Sequence, residues 1–239
     1  MAGAEISGGG KARKSDLGVR FVSAVVMMAV LLAAFAAGDV WFDMFVYVVT
    51  FLTIAEFARL VLRATNQPVT RVAGILAGTV LIALAGIVLA DLDSYYLLAA
   101  IGVVISTDVG AYAMGRTIGG PKIAPSISPS KTWAGLMGGM LFAAIFLILM
   151  VTAFHYTGGY KTWGELVDVA WDDALGAAMV GAILAVTAQA GDFAQSWLKR
   201  RAGMKDSSKL IPGHGGVFDR VDGLLPVALI VGFISTTFT

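Results

Sequence analysis

The 239-residue chain is 58% hydrophobic and 14% charged, against about 45–50% apolar and about 25% charged residues in soluble domains, which excludes an ordinary water-soluble globule. With no cysteine it has no disulfide framework, thiolate nucleophile or Cys-ligated zinc site. A formal net charge of +1 says little about partners, because in such a chain the placement of charges matters more than their sum; nucleic acid is not an expected partner.

Residues 1–20 read as a basic disordered tail with Lys11, Arg13, Lys14 and Arg20. A hydrocarbon core about 30 Å thick takes about 20 apolar residues per helical span, and seven apolar runs follow the tail. The first three, in residues 21–94, are Phe21 to Ala37, Trp41 to Leu62 with Glu56 inside it, and Val72 to Ala90. The others, in residues 95–239, are Tyr95 to Met114 with Asp108 inside it, Trp133 to Phe154, Ala174 to Ala190, and Leu224 to the end. Only helices and closed barrels satisfy backbone groups in lipid, and these runs are too continuous for barrel strands. The expected fold is therefore all-α, a polytopic membrane protein of about seven transmembrane helices. The first run is read as a retained helix, since it exceeds the usual signal-peptide core of about 7–15 residues.

With a cytoplasmic N-terminus, seven spans put 16 of the 17 lysines and arginines inside, and only Lys161 outside. An error of one span would scramble that bias, so the positive-inside rule supports both count and orientation.

Two polar segments, residues 115–132 and 191–222, read as cytoplasmic loops of a catalytic region. Asp108 lies about two turns inside the fourth run, where a carboxylate is costly unless it faces a polar cavity or a partner. Ser128 or Ser130 is expected to cap the fifth helix, leaving free amides, Lys131 and the Thr132 hydroxyl at a positive helix end suited to phosphate. The second segment mixes both signs: Asp192, Lys199 to Arg201, Lys205, Asp206, Asp219, Arg220 and Asp222, with Ser196, Ser207, Ser208 and a glycine-flanked His214. Asp219 and Asp222 share a face if helical, and Asp192 approaches them if the sixth and seventh helices pack side by side. Three such carboxylates repel one another unless a cation lies between them, and hard oxygen ligands select Mg²⁺. A loop facing anionic headgroups would account for the basic residues but not for the interleaved acids.

The stretch from Ser196 to Asp222 resembles the signature of phosphatidate cytidylyltransferases, the CDP-diacylglycerol synthases. Ser196, Lys199, Arg200, Lys205, Asp206, Ser208, Pro212, His214, Gly215, Gly216, Asp219, Arg220 and Asp222 all stand at its fixed positions. Gly191-Asp192, Gly110 to Tyr112, Gly115-Arg116 and Ile127 to Trp133 resemble further family elements. Gln195 stands where Glu is expected, Ala134 where Glu often follows, and Val109 where Thr or Ser is usual. The chain also reads as shorter than many relatives, with one or more N-terminal helices absent.

The resemblance implies transfer of CMP from CTP to phosphatidic acid in the bilayer, giving CDP-diacylglycerol and pyrophosphate, on the cytoplasmic face of a bacterial inner membrane. It implies catalytic roles for Asp192, Asp219, Asp222, Lys199, Arg220 and His214, with Mg²⁺ on the three aspartates. Substrate contacts would come from Asp108, Tyr112, Ser128, Lys131, Thr132 and Ser196, and from Arg200, Lys205, Asp206, Ser207 and Ser208. The Gln195 and Ala134 departures leave a second cation open, and a homodimer is implied. A CTP-dependent lipid or polyprenol kinase is the nearest alternative. A transporter using Glu56, Asp108 and Asp192 ranks lower, because the acids concentrate at one end of the spans. The sequence has neither the G-x-x-x-x-G-K-[ST] phosphate loop nor the H-E-x-x-H zinc motif.

Overall fold

A computed structural model describes the backbone of residues 9–157 and 163–238 and the side chains of 18–154 and 173–237. The chain runs α1 (Gly9–Ala36), α2 (Asp39–Ala64), α3 (Pro68–Asp91) and α4 (Ser94–Thr117), then a hairpin of β1 (Lys122–Ala124) and β2 (Ser128–Thr132). It continues through α5 (Trp133–Thr157), α6 (Trp163–Arg201), the single turn α7 (Phe218–Val221) and α8 (Leu224–Phe238). Pro68 opens α3 at the one position where its missing N–H costs nothing.

Among the described residues six helices are long and apolar enough to cross a membrane, α1 to α6. Their outer faces carry large exposed apolar side chains such as Phe51 and Leu149, as a lipid solvent demands. The core lies where α4, α5, α6 and α8 meet, around Ala100, Val103, Ala143, Leu184, Ala185 and Val227. Its members are small because lipid supplies no hydrophobic drive between helices, so close backbone approach must hold them. A Cβ on Gly110 of α4 would stand 2.4 Å from the Gly138 carbonyl of α5, and one on Gly138 would stand 2.5 Å from Gly110 O.

Three expectations are corrected. The stretch from Gly9 to Arg20, read as part of a disordered tail, is helical and opens α1; the seventh run forms the shorter apolar helix α8, of 15 residues, and the chain before it packs against α2. Phe218 packs edge-on against Phe57, ring centroids 6.1 Å apart, about two turns from the end of α2 at about 1.5 Å per residue. Residues 191–201 are not loop but the continuation of α6, which places Asp192, Ser196, Lys199 and Arg200 on a rigid helix. The cap of α5 is neither Ser128 nor Ser130: Thr132 Oγ1 accepts the Gly135 N–H at 3.0 Å, while Ser128 pairs opposite Ala124 in the hairpin. Lys161 lies outside the described residues.

Candidate active site

The site forms where α6, the loop after it and α7 close on the ends of α2, α4 and α5. A Cβ on Gly191 would stand 2.3 Å from the Asp222 carbonyl oxygen, so glycine lets α6 touch the α7–α8 junction. Asp192, the next residue, forms an ion pair with Lys131 and accepts the Ser196 hydroxyl at 3.2 Å. Lys131 also stands 5.0 Å over the Phe193 ring. Asp222 accepts the Gly223 N–H at 2.8 Å. Burial, and then the nearby Asp192, push its carboxyl up to about 7, the Gly223 bond and the charges of Lys199 and Lys131 offsetting this only in part. Two acids thus compete for one stretch of positive charge.

Asp219 is placed differently. Its Oδ1 accepts from Lys199 Nζ at 2.7 Å and Gln195 Nε2 at 3.0 Å, and its Oδ2 from the N–H groups of Ser207 (2.8 Å) and Gly216 (2.9 Å). Burial alone would raise this carboxyl, but the hydrogen bonds from Lys199, Gly216 and Ser207 outweigh it and hold it below the ordinary carboxylate range. Gln195 has a physical role here, since its amide donates to Asp219 where a glutamate would repel it; its own Oε1 is buried without a partner. Among the described residues no group of three or more acidic or histidine side chains is arranged to hold a metal ion. Asp192 is in electrostatic reach of both Asp222 and Asp108, while Asp219 faces donors.

Glu56 is a residue that sequence reasoning placed only in the lower-ranked transporter reading and not in the nucleotide site. It is 5% exposed and accepts from Ser207 Oγ (2.7 Å), Ser208 Oγ (2.6 Å), Val217 N (3.1 Å) and Phe218 N (2.8 Å). Irregular backbone at membrane depth is tolerated only when its polar groups are satisfied within the protein, and Glu56 does this for residues 207–218. Ser207, fully buried, lies between Glu56 and Asp219, its Oγ 2.9 Å from Asp219 Oδ2. A Cβ on Gly216 would stand 2.0 Å from that hydroxyl. The signal was present in the sequence as a lone carboxylate in an apolar run, but nothing there indicated that its partners lie more than 150 residues away.

Most of the remaining candidates line two further cavities. One, of about 380 Å³, is bordered by Asp108, Tyr112, Lys131, Thr132, Asp192 and Gln189. Gln189, also unforeseen, is 4% exposed with its Nε2 unpartnered, a donor waiting for an acceptor. Tyr112 accepts from Arg116 at 2.9 Å. The other, of about 550 Å³, is bordered by Lys205, Asp206, Ser208, His214 and Arg220, with Arg20 contributed by α1. Arg200 points to the hairpin, its Nε donating to Ile127 O at 3.3 Å. A third, largely apolar cavity of about 700 Å³ opens among α2, α3, α6 and α8, with Asp222 and Gln195 in its wall.

The model of the Cytidylyltransferase family matches residues 69–238, from the start of α3 to the end of α8. The chain belongs to the cytidylyltransferase family. Its similarity to the phosphatidate cytidylyltransferase of Brucella suis is 43% identity over 136 residues, 57% of this chain and 45% of that protein. The phosphatidate cytidylyltransferase of Mycobacterium bovis is 35% identical over 133 residues, 56% of this chain and 39% of the relative. That of Rickettsia felis is 29% identical over 229 residues, 93% of each chain. The chain thus spans just under half the length of the Brucella relative. Every cytidylyltransferase signature residue from Asp108 to Asp222 falls within the family match, whereas Glu56 and the whole of α1 precede it.

Proposed function

We propose that this cytidylyltransferase transfers CMP from CTP to phosphatidic acid, forming CDP-diacylglycerol and releasing pyrophosphate. One observation carries the reading: the Asp192–Asp222 acid pair stands between a cavity lined by Lys131 and a lipid-sized apolar cavity whose wall includes Asp222. A phosphate monoester on two acyl chains needs both kinds of surface at one point.

Both reactants are anions, so the chemistry asks for charge neutralisation and in-line placement rather than proton transfer. A phosphate oxygen of phosphatidate forms the new bond to the α-phosphorus of CTP as the bond to the β-phosphate oxygen breaks. Lys131, Lys199, Lys205 and Arg220 neutralise phosphate charge, and Gln189 Nε2 supplies a neutral donor. Asp219 keeps the Lys199 ammonium in place, and Glu56 holds the loop that leads into α7, the turn that bears Asp219. The two half-buried carboxylates, one carrying a raised affinity for protons, suit a hard divalent cation. Asp192 and Asp222 would hold Mg²⁺, which would supply positive charge toward the departing pyrophosphate. The basic residues gathered at the helix ends around the site support a cytoplasmic location under the positive-inside rule, where CTP is found.

The test is product analysis. Purified protein given CTP labelled at the α-phosphate, phosphatidic acid and Mg²⁺ should yield labelled CDP-diacylglycerol and free pyrophosphate. Release of CDP, with the γ-phosphate on the lipid, would assign the chain to lipid kinase chemistry instead.

A further inference from the structure

α1 precedes the segment matched by the family model, yet it reaches the turn that carries His214. Gly213 has φ 75°, and a Cβ there would stand 2.8 Å from Arg20 Cγ, so α1 sits directly on the turn. The His214 backbone is pinned on both sides: its N–H donates to Ile211 O at 3.0 Å, and its carbonyl accepts from Arg220 Nη2 at 2.7 Å. Only the orientation and tautomer of the ring remain to be set. Ser23 Oγ lies 2.7 Å from His214 Nδ1.

Ser23 has three polar neighbours and one hydroxyl proton. Two of the neighbours are carbonyls that can only accept, Pro212 O at 2.9 Å and Arg20 O at 3.1 Å. With the proton committed to a carbonyl, the short contact to the ring is satisfied by Nδ1–H donating to the Ser23 oxygen. In an uncharged imidazole this leaves Nε2 without a proton.

We propose that Ser23 is a positioning residue that holds His214 in its Nδ1–H tautomer and presents Nε2, as a hydrogen-bond acceptor, to the basic cavity beside it. Arg20, Lys205, Lys209 and Arg220 border that cavity and are suited to phosphate oxygens. An acceptor among them selects a donor, which a nucleotide offers through its ribose hydroxyls or its cytosine amine. The proposed tautomer rests on the Ser23 contacts, whereas its consequence for substrate binding rests on the proposed use of CTP.

The full chain, with isotope-labelled histidine, is reconstituted in lipid nanodiscs and observed by nitrogen NMR at about pH 8, above the ordinary imidazole range. A His155→Gln variant assigns the signals of the second histidine. The expected spectrum shows His214 protonated at Nδ1, and Ser23→Ala shifts it to the Nε2–H form, while Ser23→Thr, which keeps the hydroxyl, retains the original. In the CMP-transfer assay Ser23→Ala should raise the KM for CTP by roughly tenfold, the size of one hydrogen bond, with the KM for phosphatidic acid unchanged. An Nε2–H ring in the unaltered protein, or an identical spectrum after Ser23→Ala, overturns the proposal. The expected tautomer in a protein that fails to transfer CMP supports it and overturns the proposed function instead.

Discussion

Asp219 and Asp222 are three residues apart and chemically identical, yet they have opposite environments. Asp219 faces donors from α6 and from the loop. Asp219→Asn turns an amide NH₂ toward some of those donors, and should destabilise the fold by about 1–3 kcal/mol. Thermal unfolding in detergent measures this, and an unchanged midpoint would contradict it. The pH dependences also differ in sign. Asp219 is held below the ordinary range once its hydrogen bonds outweigh burial, so its contribution is full above about pH 4 and is lost as pH falls through the folded value. Asp222 is raised to about 7 by burial and Asp192, so between about pH 4 and about 7 the folded state holds the extra proton and stability declines as pH rises. Asp222→Asn should remove that decline, and a slope identical to the parent's would contradict the assignment. Sequence reading found both acids because the signature marks them. It could not divide their tasks, because the division depends on which donors face each carboxylate.

At the scale of elements, helices that must approach closely set the site. The Gly191 contact with Asp222 O predicts that Gly191→Ala forces α6 off the α7–α8 junction and lowers turnover by at least roughly tenfold, a cost of about 1.4 kcal/mol or more. Gly176→Ala on the same helix, with nothing within 4 Å of the added methyl, should leave turnover unchanged and gain helix propensity. Equal effects of the two substitutions would contradict this reading. Glu56→Gln tests the loop anchor. Four donors converge on the Glu56 carboxylate, and an amide can accept at only one of its two ends. The variant should expose residues 207–218 to limited proteolysis, whereas an unaltered cleavage pattern would contradict the anchor. These features were hidden in the sequence because apolar helices on every face give no phase. The polar segment at 191–222 read as loop from charge alone, while α6 carries helix through Arg201.

At the scale of the whole molecule, the spans were legible because hydropathy and length suffice to identify helices in lipid. The shorter apolar α8 follows a polar stretch of chain that lies against α2. Family membership was legible in the spaced signature, whereas the contributions of Glu56 and Ser23 were not, since both lie outside it on helices distinguished only by hydrophobicity. The alternating path of the helices brings Lys209 to the end of the bundle opposite Asp93. With no native cysteine, single cysteines at those two positions should label from opposite sides of sealed vesicles. Labelling from one side would contradict the membrane path.

In the proposed reaction Asp192 and Asp222 share a cation beside two anionic substrates. The most direct measurement is the rate of pyrophosphate release as a function of Mg²⁺ concentration, in the parent protein and in Asp192→Asn. The parent should show saturable dependence with phosphatidic acid present, and the variant almost none at any concentration. Equal Mg²⁺ dependence in both proteins would contradict the account.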